Sequence, residues 1–215
     1  VEGRYVYFVD ADDIYDFPAL ADAVNTATAS GIDVLIVPYK TEYVKPEGSK
    51  TEGMLEKDQR AWKRIWTSSF RSPSGQETRQ SIALDMINYP WKQLTSSTLI
   101  RDADVFFGPT RVHNDIQFHW TSITASRNLQ FHDTDICTHR KFDPAVRGQL
   151  TEVKSIARLT AIDAISLTQR ALAQQGAFEG VFGKKTFEIW KTFVKTLIKW
   201  AAERVPEEWM SEYQM

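Results

Sequence analysis

The chain has 215 residues, 42% hydrophobic and 25% charged, with a net charge of −2. That length suits one domain with a substantial core, or one domain carrying a helical appendage, and the near-neutral balance gives no electrostatic case for nucleic-acid binding. A single cysteine, Cys137, excludes an internal disulfide framework and fits a reducing compartment, and no signal peptide or membrane-length apolar run is visible, so the expected location is cytoplasmic.

Residues 5–9, Tyr-Val-Tyr-Phe-Val, are aromatic and β-branched without charge and predict a buried strand. Asp10-Ala-Asp12-Asp13 follows at once. Asp16 and Pro18 then open a helix to about Ala29, because proline early in a helix forfeits no hydrogen bond, and Ser30-Gly31 ends it. Asp33–Val37 is a second buried strand closed by Pro38, so the opening unit is β-α-β and the fold class is α/β. Residues 45–53 are polar with Gly and Pro and predict a surface loop.

Met54 to about Phe70 has helical spacing, with Leu55, Trp62, Ile65 and Trp66 on one side. Ser72–Gly75 breaks it. Ser74 and Glu77 have capping-box spacing before a helix to about Ile87, and Asn88-Tyr-Pro-Trp91 is a sharp turn. Leu94–Ile100 is compatible with strand or short helix. His113-Asn-Asp115 opens an aromatic helix through Phe118 and Trp120. Leu129–Phe131 and Ile136–Thr138 predict short strands, and Cys137 within the latter reads as an inert buried thiol. From about Glu152, Val153, Ile156, Leu159, Ile162 and Ile165 predict a long helix to about Gln175. Gly176–Gly183 reads as a break before a last helix over about Lys184–Arg204.

Three acids in four positions at a strand end repel one another and lose hydration there. Either one caps the next helix while the others face water, or a divalent metal with a phosphorylated ligand sits among them. Asp115 reads either as a helix cap in competition with Asn114 or as a general base at a loop-to-helix junction facing a cleft. Tyr89-Pro-Trp91-Lys92 is a packed turn or the floor of a sugar pocket. Cations at His139-Arg140-Lys141 and Arg147 are solvated charge or a grip on a diphosphate. The four histidines lack metal-site spacing.

Taken in order, these segments resemble an inverting glycosyltransferase of family 2 with the A-type fold. Gly3-Arg-Tyr-Val-Tyr-Phe-Val-Asp10-Ala-Asp12-Asp13 is similar to the family's strand ending in Asp-x-Asp. Tyr89-Pro-Trp-Lys-Gln-Leu94 is similar to its Trp-x-Lys-Leu segment, His113-Asn-Asp115 with Phe118 to its acidic base motif, and Phe131–Arg140 to its last strand. Asn114 replaces a usual Glu, Thr138 and His139 stand where aromatics are usual, and no Gln-x-x-Arg-Trp follows. The resemblance implies an α/β fold with a partial glycosyltransferase A-type sheet and flanking helices over residues 1–150, followed by a helical extension over 151–215.

It further implies that Asp10 and Asp12 hold Mn2+ or Mg2+ on the diphosphate of a nucleotide-sugar donor. Asp115 would be the base for a hydroxyl of a glycan or lipid-linked acceptor, with Asp13, Trp91, Lys92, Arg140 and Arg147 contacting substrate. Cell-surface polysaccharide or glycoconjugate synthesis is the family-level expectation. The upstream half of that fold, with its first strands and most of the nucleotide pocket, is expected to precede Val1, and the 215-residue piece alone to have little or no activity. Lys191, Lys195 and Lys199 recur every four residues, a stripe for an ordinary solvated face or for contact with an anionic membrane surface. A phosphatase of the haloacid dehalogenase type also places Asp-x-Asp after an apolar strand, but here Asp13 and Ile14 follow and no later Asp-Asp pair appears. A non-catalytic helical interaction domain would use the acids only as caps.

Overall fold

The computed structural model describes residues 3–67, 75–148 and 154–210. Ser74 and Val153, parts of two predicted helix starts, lie outside the described residues. Two four-stranded sheets form the frame. The first, in the order β1-β6-β3-β7, joins β1 (Tyr5–Tyr7), β6 (Gln93–Ser96), β3 (Val34–Ile36) and β7 (Leu129–Phe131). In it β6 runs antiparallel to both β1 and β3, while β3 and β7 are parallel. The second runs β2-β8-β4-β5, from β2 (Ile14–Tyr15), β8 (Cys137–Phe142), β4 (Tyr39–Lys45) and β5 (Gly48–Glu52).

Helix α1 (Phe17–Ser30) begins where the sequence indicates. The Asp16 side chain accepts from the Ala19 N–H, and Gly31 takes the left-handed conformation at φ 57° that closes a helix without a Cβ clash. The Tyr5 hydroxyl shares its one proton between the carbonyls of Ala27 and Ile32, at 2.8 and 2.9 Å, tying the end of α1 to the first sheet. Every residue of β3 is buried, as its unbroken apolar run requires of a strand covered on both faces. The Leu94–Ile100 segment resolves into both alternatives: β6, then α4 (Ser97–Asp102) with Ser96 as its cap.

Four expectations are corrected. The strand predicted over 5–9 stops at Tyr7, and Val9 is exposed. The polar stretch 45–53 is largely strand, a hairpin in which Lys45 pairs with Gly48 and Thr41 with Glu52. All five β5 residues are exposed, so no buried face leaves an apolar alternation to read. The helix predicted from Glu152 starts later, as a 3-10 segment over Ile156–Thr160 followed by α6 (Ala161–Gln174). The three-residue apolar spacing matches a 3-10 turn and drifts off the face of an α-helix, and Ile156 and Ile162 are exposed.

The Gly176–Gly183 break is shorter than predicted, because α7 (Gly180–Ala202) already includes Gly183. A Cβ at Gly183 would lie 2.3 Å from the carbonyl carbon of Phe178, so the glycine permits close backbone contact.

Helices α2 (Glu56–Thr67), α3 (Gly75–Leu84), α5 (Asp115–Ala125), α6 and α7 share one core with the first sheet. Trp120 of α5 meets Trp190 of α7 edge-on at 4.8 Å, with Phe193 beside both rings. The C-terminal helices thus back the helix that begins with Asp115.

Candidate functional site

Beyond β1 the chain turns through residues 8–13 into β2. The Asp13 N–H reaches the Asp10 carbonyl at 3.3 Å, and the Asp10 N–H donates to the Tyr15 hydroxyl at 2.7 Å. The Asp13 side chain is 1% exposed; one carboxylate oxygen accepts from the Arg140 N–H at 2.8 Å and lies 3.1 Å from Nδ1 of His139. Asp13 therefore pins the acidic loop onto β8. Asp10 faces outward, yet dehydration, then the carboxylates of Asp13 and Asp12, raise its pKa against the opposing pull of His139 and Trp91. Asp12 is half-buried and carries a loose pair to Arg147 at 3.7 Å.

The second carboxylate comes from the far side of the sequence. Residues 108–114 curl so that the Gly108 N–H donates to the Asn114 carbonyl at 2.8 Å, with His113 in the left-handed region at φ 65°. That conformation costs a non-glycine residue about 1–2 kcal/mol, and packing holds it: the His113 ring meets Trp200 of α7 edge-on at 5.6 Å. Asp115 then opens α5. Loss of hydration pushes its carboxyl up to about 6; the N–H groups of Asp115 and Ile116 counter this, and Asp10 adds to it. The charge of Asp10, more than a hundred positions earlier in the chain, is thus a small contributor beside the loss of hydration.

An aromatic clamp joins the two segments. Phe8 lies 4.9 Å from Phe107 and 5.1 Å from Phe118, whose rings stack at 4.8 Å. Phe8 is two residues before Asp10 and Phe118 one helical turn after Asp115, so the cluster fixes the spacing of the acids. Between them Tyr89 stacks on Trp91 at 4.8 Å, and His139 lies 5.1 Å from both rings. Burial, then Asp58, Asp115, Asp13 and Asp10, all raise the pKa of the Tyr89 hydroxyl, so it stands within reach of both acidic segments. Tyr89 and His139, read in the sequence only as parts of a possible sugar-pocket floor and of a possible diphosphate grip, meet here around Trp91.

Three residues expected to contact substrate have almost no surface with which to do so. Asp13 is held as described. Trp91 is fully buried between Tyr89 and Tyr39, and its indole N–H, without a hydrogen-bond partner, lies near enough to Asp10 to favour that residue's ionised form. Lys92 is 1% exposed and its ammonium pairs at 3.0 Å with the buried Asp58. Asp58 also accepts from the Tyr39 hydroxyl at 2.8 Å and the Ile87 N–H at 2.7 Å. A charge this dehydrated persists only with such partners, so Lys92 braces the turn from beneath. Arg140 bonds Glu42 at 3.0 Å and lies over the Phe142 ring, which Arg147 also faces.

Among the described residues, no group of three or more His, Cys, Asp or Glu is arranged to hold a metal by itself. Asp10 and Asp12 nonetheless suit a hard cation that completes its shell with water and diphosphate oxygens, which is how Mg2+ is usually bound. Loss of hydration is the main cause of the raised Asp10 pKa, and a cation there would relieve the lesser contribution of Asp13 and Asp12.

No family model and no curated protein matches the chain. Solved structures do. S. aureus TarS 1-349 in complex with UDP-GlcNAc superposes with a TM-score of 0.60 at 16% identity, over 90% of this chain and 48% of that one. The same protein in complex with UDP gives 0.54 at 15% identity over 90% and 47%, and TarS 1-349 alone 0.52 at 15% over 88% and 45%. TarS is a glycosyltransferase. At these identities the likeness is one of fold: mixed α/β with flanking helices. The chain spans about half the length of the structures it matches.

Proposed function

We propose that the protein takes part in transfer of a sugar from a nucleoside-diphosphate sugar to an acceptor hydroxyl, with inversion, as a metal-dependent glycosyltransferase of the family 2 type. The observation that carries this reading is the aromatic cluster of Phe8, Phe107 and Phe118, which joins the Asp10 loop to the start of α5 at Asp115, with Asp10 adding to the rise of the Asp115 pKa. The likeness to a structure that holds UDP-GlcNAc makes a uridine nucleotide sugar the first donor to try.

Asp115, with a pKa of about 6, is mostly ionised at neutral pH and takes the proton of the acceptor hydroxyl. As that oxygen bonds to the anomeric carbon, the bond from this carbon to the diphosphate oxygen breaks on the opposite face. Asp10 and Asp12 would hold Mn2+ or Mg2+, which when bound neutralises charge developing on the diphosphate. Arg147, 59% exposed and only loosely paired to Asp12 at 3.7 Å, would contact that leaving group. The acceptor is a glycan or a lipid-linked saccharide in cell-surface polysaccharide or glycoconjugate synthesis.

Calorimetric titration of UDP in the presence of Mn2+, into a chain that also carries the upstream half expected of the fold, tests the assignment. Binding should require the metal and weaken at least about tenfold in Asp12→Asn. Equal binding without metal, or an unaffected variant, contradicts it, and turnover of simple phosphate esters would favour a phosphatase.

A further inference from the structure

Helix α7 distributes charge differently from the rest of the molecule. It contains five lysines and one glutamate, so a chain of net charge −2 carries +4 on this helix and −6 elsewhere. At 100° per residue, Lys184, Lys185, Lys191, Lys195 and Lys199 all fall in a sector of about 120°. The sector lies opposite the buried face formed by Gly183, Thr186, Trp190 and Ala201. All five lysines are exposed. Lys191 pairs with Glu188 at 2.7 Å; among the described residues no ion pair engages the other four.

Apolar side chains share this face. Val181, 89% exposed, projects in the middle of the basic sector at the start of the helix, and Phe187 and Ile198 lie exposed along one margin. A face kept only for solubility would mix acids with its lysines and would not leave these groups in water. Lysines around exposed aliphatic groups, with one acid in the middle of the sector, Glu188, neutralised by Lys191, match a flat anionic surface with an apolar layer beneath its charge. Nucleic acid fits less well, because the face presents no arginine fork and only one ring at its edge for base stacking. No described helix is long and apolar enough to cross a membrane, so the contact is one of lying on the surface.

We infer that the outward face of α7 docks on an anionic lipid surface, its lysines on headgroup phosphates and Val181, Phe187 and Ile198 against the acyl boundary. The inference stands independently of the transferase reading.

Co-sedimentation of the 215-residue chain with phosphatidylcholine vesicles, with and without phosphatidylglycerol, is the experiment. The chain should sediment with the anionic vesicles at low salt, stay in solution with the neutral ones, and be released as salt rises. Reversing two exposed charges, Lys195→Glu with Lys199→Glu, should lower partitioning at least about tenfold while leaving the unfolding transition in place. Val181→Ser should weaken binding several-fold without changing its salt dependence. Failure to sediment with anionic vesicles at low salt, or equal partitioning of the reversal variant, overturns the inference. Binding to duplex DNA as tight as to vesicles, with Val181→Ser indifferent, overturns the lipid assignment in favour of general polyanion attraction.

Discussion

Asp115→Asn is the most informative single substitution, because its effect on stability has a sign fixed by pH. The Asp115 carboxyl is raised from 3.8 to about 6 in the folded protein. A carboxyl raised on folding contributes stability that is fully present below its unfolded pKa and is lost as pH rises through the folded pKa. Ionisation of Asp115 in the native state therefore costs up to ~3 kcal/mol by pH 7.5, of which ~1 is already lost at pH 4.5. Between these two pH values the wild type should lose ~2 kcal/mol from this group, and ~1 after allowance for the surface Asp115 retains. Asparagine keeps an acceptor for the N–H groups of Asp115 and Ile116 but has nothing to ionise. Urea unfolding at both pH values measures the difference. The variant should gain ~1–2 kcal/mol on the wild type as pH rises; a gap that is constant with pH, or that shrinks, would refute the claim that this carboxyl is dehydrated.

Three further outcomes follow from other parts of the fold. Lys92→Met leaves the Asp58 carboxylate buried without its cation and should destabilise by ~3–5 kcal/mol, with Asp58→Leu added to it recovering part of the loss in denaturant titrations. Gly183→Ala places a methyl against the Phe178 backbone and should cost ~1–3 kcal/mol, seen as a lower thermal midpoint. Arg147→Ala removes an open pair to Asp12 and should change stability by less than ~1 kcal/mol while weakening any nucleotide diphosphate that binds, by calorimetry.

The sequence declares what local chemistry decides. Asp16, Pro18 and Gly31 bound α1 because a cap, a restrained φ and a left-handed residue are each properties of single positions. The β3 run is legible because burial on both faces demands unbroken apolar character. What stays hidden depends on distant partners. Which of three neighbouring acids is buried is set by the Arg140 N–H, 127 positions away. Lys92 reads as an ordinary turn cation because Asp58 lies 34 residues earlier on another helix. Trp91 resembles an exposed sugar platform until Tyr39 and Tyr89 close on its two sides. The hairpin at 45–53 is held by its backbone ladder, which leaves no mark on side-chain pattern.

The central claim is that Asp10, Asp12 and Asp115 act together on a divalent cation with a nucleotide diphosphate and an acceptor hydroxyl. Carbon-13 spectra of aspartate carboxyls, recorded while Mn2+ is added with UDP, test it most directly. The account predicts saturable loss of the Asp10 and Asp12 signals, broadening of Asp115, and an Asp115 pKa lowered when diamagnetic Mg2+ replaces Mn2+. Bound Mn2+ that leaves these three resonances sharp while broadening carboxyls elsewhere would contradict it.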